Sequence, residues 1–308
     1  MIISASRRTD IPAFYSEWFM NRLREGFALM PNPRNPSRLG KVNLSPDIVD
    51  CIAFWTKNPR PMFDKLDELD AMGYSYYTQF TLTSYGKSVE RYLPPKAELI
   101  DTFIEMSQRT SRERSVWRYD PIIIDRCFSV EWHIEQFALM CEKLHHYTKR
   151  CILSFVDPYK GIGDSFHSPS NDEMYMVGAG ISKIAKAHGI SLFTCAEKIE
   201  LTKYGIQHGA CINQSLIEQV IGNSVKAKRD ANQRAECCCI EAVDIGAYDT
   251  CPHGCTYCYA TSSQKTVERL VAAHDPFAPM ITGYPKGDEI ITDRTTASQK
   301  INQIKLFE

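Results

Sequence analysis

The hydrophobic pattern divides the first two thirds of the chain into short apolar runs and longer amphipathic segments. The apolar runs predict strands at residues 2–6, 49–55, 74–83, 116–124, 150–156 and 190–196. The segments between them place apolar residues three and four apart, which predicts helices at residues 12–25, 61–72, 96–108, 130–147 and 171–187. The proline-rich stretch 30–40 is predicted to be a loop. This alternation indicates an α/β protein with a parallel sheet, most simply a full or partial (β/α) barrel.

Polar residues lie at the ends of several predicted strands. Because barrels of this class carry their chemistry at the carboxyl ends of the strands, these residues are candidates for the site: Thr56, Lys57, Asn58, Thr81, Thr83, Arg118 and Asp120. Arg118 and Asp120 form either a buried ion pair or substrate contacts, and the same alternatives hold for Arg7, Arg8 and Asp10. We take Arg118, Asp120, Arg8 and Asp10 as candidate catalytic residues.

The pattern changes near residue 205. Residues 222–236 are polar and are predicted to form a loop with some helix, residues 241–248 alternate like one more strand, and residues 262–273 are predicted to be helical. We therefore divide the chain into a barrel core, residues 1–204, and a cysteine-rich segment, residues 205–308, that completes the barrel.

Charge and hydropathy exclude some classes of protein. The 36 basic and 37 acidic residues give a net charge of −1, which provides no general attraction to nucleic acid or to an anionic membrane. No apolar run approaches the length of a membrane-spanning helix, and no targeting segment is evident, so we expect a cytoplasmic protein. In a reducing compartment we do not expect the 12 cysteines to form disulfides, which favours metal or catalytic roles.

Three cysteines are closely spaced in residues 251–258. Cys251, Cys255 and Cys258 follow the spacing C-x3-C-x2-C, with Pro252 and Gly254 between them. Thiolates at such spacing are typical ligands of iron–sulfur clusters, and three of them leave one iron of a [4Fe–4S] cluster open for a ligand. The alternative is a zinc site that recruits His253 or Cys239 as the fourth ligand.

A second group of cysteines precedes this loop. Cys195 ends the sixth predicted strand, Cys211 follows it, and a cysteine triplet occupies positions 237–239. Adjacent residues of an extended chain point in opposite directions, so Cys237 and Cys239 share a face. Cys195, Cys211, Cys237 and Cys239 are therefore predicted to bind a second [4Fe–4S] cluster. The alternatives are zinc at the same positions, or buried thiols and a redox-labile loop. A further alternative is an open second cluster that ligates the substrate directly.

The sequence CPHGCTYCYA, residues 251–260, resembles the signature of the radical SAM superfamily, in particular its spore photoproduct lyase-like and DNA-repair-photolyase-like branch. The whole chain also resembles an uncharacterised bacterial family with this signature near the carboxyl terminus. The superfamily normally carries it after the first barrel strand, so the resemblance implies a circularly permuted barrel in which residues 241–248 are the first strand and residues 2–6 the next. FWTKNP and WRYDPIII resemble later strands of that branch.

The resemblance implies that Cys251, Cys255 and Cys258 ligate the cluster and that S-adenosylmethionine binds the open iron. An electron from the cluster would then cleave S-adenosylmethionine to a 5′-deoxyadenosyl radical. Tyr257 would pack on adenine, Lys57 would pair with the carboxylate, and Thr81 or Thr83 would bind the ribose or amino group. Thr56 and Asn58 are counted with these cofactor-binding residues. Alternatively Lys57 is a solvated lysine, and the threonines reflect strand propensity.

The expected partners are an electron donor such as flavodoxin or ferredoxin and an unidentified small molecule or peptide as substrate. Two other functions remain open. One is a non-catalytic iron–sulfur or zinc protein for electron transfer or binding. The other is a nucleic-acid lesion repair enzyme, which the balanced charge disfavours because phosphate contacts require lysine and arginine.

Overall fold

The computed structural model describes residues 1–32, 35–157 and 166–301. Its strands are β1 (Ile2–Ala5), β2 (Phe27–Asn32), β3 (Asn35–Asn43), β4 (Cys51–Thr56), β5 (Tyr76–Thr81), β6 (Ser115–Ile122), β7 (Arg150–Phe155), β8 (Ser191–Cys195), β9 (Gln207–Gly209), β10 (Val243–Asp244) and β11 (Ile290–Asp293). Its α-helices are α1 (Ile11–Phe14), α2 (Ser16–Glu25), α3 (Leu66–Ala71), α4 (Lys96–Arg109), α5 (Val130–Leu144), α6 (Asn171–Ala187), α7 (Gln214–Ile221) and α8 (Gln264–Ala272). Short 3-10 helices cover Arg60–Lys65 and Thr202–Tyr204.

Eight strands form one parallel sheet in the order β10-β1-β4-β5-β6-β7-β8-β9. The strands follow the order of the chain except for β10, which comes late in the sequence and lies beside β1, pairing Ile3 with Val243 and Ser4 with Asp244. The prediction of an α/β protein with a central parallel sheet is confirmed.

The two faces of the sheet have different coverings. On one face, strand residues such as Phe54 and Trp117 pack in a large core with aromatic residues of the helices, including Phe103 of α4 and Phe137 of α5. On the other face, the alternate strand residues pack against α7 and the segment after it, through Leu216, Ile217 and Ile240 among others. Alternation along each strand therefore buries both faces of the sheet.

The edge strands β9 and β10 are not paired with each other in the part of the chain that the structure describes. Contact between the two edges comes instead from residues that flank these strands, since the amide of Ile240 donates to the carbonyl of Ile212 at 3.1 Å. A closed barrel of eight paired strands is thus not formed by these strands. The predicted division at residues 204 and 205 falls between β8 and β9, which pair within one sheet, and it stays a prediction.

The prediction of a loop at residues 30–40 is wrong for the described residues of that stretch, because β2 and β3 form an antiparallel pair there and β11 joins β3 in a small sheet. Residues 33 and 34 lie outside the described residues. Pro31 is tolerated because β2 is an edge strand, where a missing amide hydrogen bond costs little. The polar stretch 222–236 forms turns and two isolated bridges, at Val225 and Arg229, without the expected helix. Only Val243–Asp244 of residues 241–248 is a strand.

None of the helices in the described residues is long and apolar enough to cross a membrane.

Candidate metal and cofactor site

The loop that carries Cys251, Cys255 and Cys258 follows β10 and lies at the carboxyl end of the parallel sheet. Backbone hydrogen bonds attach it to the segment after β5: the amide of Tyr92 donates to the carbonyl of His253 at 3.1 Å, and the amide of Thr256 donates to that of Val89 at 2.9 Å. Gly254 has φ +66°, and a Cβ there would lie 2.6 Å from the Tyr92 ring. Only glycine fits this turn without displacing Tyr92.

The three thiols of the loop are partly buried. Burial and the charge of Asp10 raise the pKa of Cys251 well above its usual value, and burial raises that of Cys255 to about 12 although Lys57 opposes the shift. A metal ion would therefore have to displace protons to form thiolates. Within the described residues, no group of three or more His, Cys, Asp or Glu side chains is placed so that it could hold a metal ion. The metal-ligand predictions for both cysteine groups thus stay predictions.

A buried carboxylate, Glu90, lies beside this loop, with its side chain only 1% exposed. It accepts hydrogen bonds from the ammonium group of Lys57 at 2.7 Å, from the hydroxyl of Thr83 at 3.1 Å, and from Lys96 and the hydroxyl of Tyr257. The Lys57 ammonium also lies 5.4 Å from the centre of the Tyr257 ring. One carboxylate thus faces two ammonium groups, so the Glu90 network by itself carries one net positive charge. A second carboxylate, that of Asp10, lies against the same loop at His253.

The pKa values in this network reflect the competition of two cations for one anion. Burial alone would raise the pKa of Glu90, but the charges of Lys57 and Lys96 lower it to about 2. The pKa of Lys57 is raised, because Glu90 and Cys255 outweigh its burial. Burial and the charge of Lys57 lower the pKa of Lys96 despite Glu90. Lys57 is therefore the more firmly protonated of the two lysines.

Asp10 joins three parts of the site. Its Oδ1 accepts from the amide of Ala13 at 3.0 Å and caps α1, while its Oδ2 accepts from the amide of Lys57 at 2.7 Å and lies 2.8 Å from Nε2 of His253. The other ring nitrogen of His253, Nδ1, is buried with no hydrogen-bond partner. Asp10, predicted as catalytic, is placed to fix the cysteine loop relative to β4.

The basic residues near the beginning of the chain lie against the strand that leads into the loop. Asp244 of β10 accepts from the Arg7 amide at 2.9 Å, and Nη1 of Arg8 donates to the carbonyl of Gly246 at 3.5 Å. The Arg8 guanidinium also lies 5.1 Å from the centre of the Tyr248 ring. The Arg8 side chain therefore contacts the backbone and an aromatic ring that precede the cysteines.

Arg118 and Asp120 form an ion pair on the face of the sheet that α7 covers, which is the first of the two predicted alternatives. Arg118 also donates to Sγ of Cys211 at 2.6 Å, and its guanidinium lies 4.9 Å from the centre of the Trp55 ring. The ion pair thus lies next to the second group of cysteines.

The second group does come together. Sγ of Cys195 and Sγ of Cys211 are 2.9 Å apart, and interaction with the thiols of Cys211 and Cys237 lowers the pKa of Cys239. Cys237 and Cys239 are buried whereas Cys238 is exposed, as expected from the alternation of an extended chain. The four predicted residues therefore lie in one cluster.

The other predicted cofactor-binding residues have local contacts. The Thr56 hydroxyl accepts from the amide of Asn58 at 3.0 Å, and Oδ1 of Asn58 accepts from the amide of Arg60 at 3.3 Å, which stabilises the turn after β4. Thr81 is half-buried at the end of β5. Thr83, in contrast, belongs to the Glu90 network.

The family described as "Domain of unknown function (DUF1848)" matches residues 2–260. The chain belongs to this family. The matched region includes both cysteine groups, whereas α8 and β11 lie beyond it. No curated protein matches the chain. A solved structure, described as a "putative alpha-L-fucosidase" from Bacteroides thetaiotaomicron, is 13% identical over 50% of this chain and 64% of that chain, with a TM-score of 0.27. A likeness at that score supports no conclusion about fold or activity.

Sequence reasoning missed three residues of the site, which are Glu90, Lys96 and His253 as a partner of Asp10. Glu90 lies outside every predicted element, and Lys96 is the first residue of the predicted helix 96–108, so neither position carries a motif that signals a site. The one available indication was physical, because a lysine predicted at a buried strand end, such as Lys57, requires an anionic partner.

Proposed function

We propose that this chain is a radical SAM enzyme in which Cys251, Cys255 and Cys258 hold a [4Fe–4S] cluster and S-adenosylmethionine is cleaved reductively. The observation that carries the proposal is the position of this three-cysteine loop, at the carboxyl end of a parallel sheet and beside a network in which two ammonium groups share one buried carboxylate. Ligands of open parallel sheets bind at that end of the strands.

The order of the strands supports a permuted barrel. The superfamily's signature loop normally follows the first strand of the barrel. Here the loop follows β10, which is the first strand of the sheet in space although it is late in the chain. The strand that follows in space is β1, next to the beginning of the chain, as a circular permutation requires.

The chemistry of the loop fits such a cluster. Three thiols within eight residues supply the donors that iron–sulfur clusters take, and two buried polar atoms on the same loop, Nδ1 of His253 and the hydroxyl of Thr256, have no hydrogen-bond partner. Binding requires the thiols to turn toward a common centre. When bound, the cluster would supply the electron that splits the sulfonium of S-adenosylmethionine and yields a 5′-deoxyadenosyl radical.

The residues around the loop have roles that follow from their charge. Lys57, Lys96 and Glu90 together carry one net positive charge, which would attract the carboxylate of S-adenosylmethionine. Tyr257, held by Glu90, would present its ring beside the adenine. Asp10 would hold the loop in place through His253, whose imidazole it contacts. The substrate, a small molecule or a peptide, would approach from the side of Arg118 and Asp120, and a flavodoxin or ferredoxin would supply electrons.

The test is reductive cleavage of S-adenosylmethionine by the full chain purified without oxygen and loaded with iron and sulfide. We expect 5′-deoxyadenosine after addition of dithionite and S-adenosylmethionine, loss of this product in Cys255→Ala, and normal product in Cys127→Ala, which changes an exposed cysteine outside both groups.

Because some enzymes cleave S-adenosylmethionine only with substrate present, the electron paramagnetic resonance spectrum of the reduced cluster is recorded as well. S-adenosylmethionine bound to an open iron changes that spectrum. A loaded cluster that gives neither product nor a spectral change refutes the proposal and favours a non-catalytic iron–sulfur protein.

A further inference from the structure

The thiols of Cys195, Cys211, Cys237 and Cys239 converge from three separate parts of the fold. Cys195 ends β8, Cys211 lies two residues after β9, and the other two lie in the segment that leads to β10. Cys211 and Cys239 are almost completely buried, and the amide of Ile212 donates to Sγ of Cys239 at 3.3 Å. Four thiols from distant segments within one packed cluster are not explained by the burial of small apolar side chains alone.

We propose that these four cysteines hold a single tetrahedral metal ion, Zn²⁺, rather than a second iron–sulfur cluster. A metal–sulfur distance of about 2.3 Å places the sulfurs of a tetrahedral site about 3.8 Å apart. In a cubane cluster each thiolate binds a different iron, with sulfides between the irons, so the sulfurs lie further apart. The 2.9 Å between Sγ of Cys195 and Sγ of Cys211 is nearer to the tetrahedral spacing than to the wider spacing of a cubane cluster.

As their side chains are placed, the four cysteines do not form a metal-ligating group, in keeping with the absence of one among the described residues. The present distance between Cys195 and Cys211 fits neither a disulfide nor a loaded site. It exceeds the roughly 2.05 Å of a sulfur–sulfur bond, and both cysteines are free. It is also about 0.9 Å shorter than the tetrahedral spacing. Side-chain rotation that separates these two sulfurs would open the space for the ion. Binding would release the thiol protons to solvent as the four thiolates form.

Two arginines near the four cysteines offset the net negative charge of a site made of four thiolates and one Zn²⁺. Nη1 of Arg118 donates to Sγ of Cys211 at 2.6 Å. The Arg7 guanidinium lies 3.8 Å from Asp230 at Nη1, while its Nη2 is buried without a hydrogen-bond partner. The Ile212 amide already donates to sulfur, a type of outer contact that orients metal ligands.

Such a site would be structural, because four protein ligands leave no open position. It would tie the end of β8 and the residue after β9 to the segment that enters β10. These elements belong to the two opposite edges of the parallel sheet. The ion would thereby fix the edge strand from which the loop at residues 251–258 extends. The proposal does not depend on radical chemistry at that loop.

The test uses the full-length chain with Cys255→Ala, so that the other cysteine loop cannot supply three thiolates. The protein is stripped with a chelator under reducing, oxygen-free conditions and titrated with Zn²⁺ and, as a coloured probe, Co²⁺. We expect one ion per chain, the visible absorption of tetrahedral cobalt thiolate, and a rise in the melting temperature on binding. Adding Cys239→Ser should abolish all three effects.

Cys238→Ser is the matched control, because it changes the exposed middle residue of the same triplet. It should bind the ion like the parent. If Cys239→Ser does not fold, Cys195→Ser provides the same comparison at a half-buried position. The proposal is overturned if no ion binds, or if Cys238→Ser loses ion binding to the same extent as Cys239→Ser. It is also overturned if the four cysteines assemble an iron–sulfur cluster in preference to binding zinc. A disulfide between Cys195 and Cys211, found by mass spectrometry of protein purified under reducing conditions, would overturn it as well.

Discussion

Replacement of Glu90 by glutamine is expected to destabilise the protein strongly. The substitution keeps the shape of the side chain but removes the only carboxylate that the ammonium groups of Lys57 and Lys96 contact in the Glu90 network. Breaking a buried ion pair by removing one partner costs about 3–5 kcal/mol, because the remaining charge stays buried. The low pKa of Glu90, about 2, is consistent with a carboxylate stabilised by this amount.

This free energy can be converted into a melting temperature. An unfolding entropy of roughly 2.1 cal/mol/K per residue gives about 0.65 kcal/mol/K for the whole chain. The melting temperature of Glu90→Gln should therefore fall by about 5–8 °C. The control is Glu105→Gln, since Glu105 also contacts two arginines, Arg60 and Arg109, but is 32% exposed. Exposed pairs contribute about 0–1 kcal/mol, so its shift should stay within about 1.5 °C.

The measurement is thermal unfolding followed by circular dichroism at neutral pH. Adding Lys96→Met to Glu90→Gln should recover part of the loss, because it removes one of the two unpaired charges. Equal decreases in melting temperature for Glu90→Gln and Glu105→Gln, or a further decrease in the double variant, would show that charge does not stabilise the Glu90 network. The same result would remove the basis for a net positive charge in that network.

Three further predictions concern the loop and the core. Gly254→Ala should lower both stability and iron incorporation, since the alanine would need φ +66° and would collide with a ring 2.6 Å away, whereas Gly86→Ala, with open space around it, should not. Burial lowers the pKa of His133 in the folded chain to about 4. Above the unfolded-state pKa near 6.5 the neutral imidazole costs no stability, and the folded state loses up to about 3 kcal/mol of stability as the pH falls from 6.5 to 4. Denaturant titrations should show that His133→Gln flattens this pH dependence; an unchanged slope would contradict the assignment. Asp10→Asn should lower the iron content after gel filtration, with only a small decrease in melting temperature, because Asp10 holds the loop through His253. A large decrease in melting temperature with normal iron content would indicate that Asp10 serves mainly to cap α1.

The central strands β1, β4, β5 and β7 could be predicted from the sequence because they are buried on both faces and are therefore largely apolar runs. The edge strand β9 was not predicted, since two of its three residues are exposed. The position of β10 beside β1 followed from the resemblance of the cysteine loop, not from periodicity, since only two residues of that segment form a strand. The loop predicted at residues 30–40 failed because proline was read as a breaker, although an edge strand such as β2 accommodates Pro31.

Prediction of the site was limited by long-range pairing. Alternation along the chain was enough to group Cys237 with Cys239 and to exclude Cys238. The proximity of Cys195 to Cys211, and of Glu90 to Lys57, depends on how distant segments meet in three dimensions. No local pattern around Glu90 or Lys96 encodes that meeting, and so the charged network became visible only in the folded chain.

The late position of β10 imposes an order on the synthesis of the protein. The edge of β1 that β10 covers is made at residues 2–5, but its partner is made about 240 residues later. At the usual rate of translation this edge waits roughly 12–48 s for its neighbour. During that time an unpaired apolar strand edge is available to other chains. The β1 edge can therefore pair with β10 only after residues 243–244 have left the ribosome.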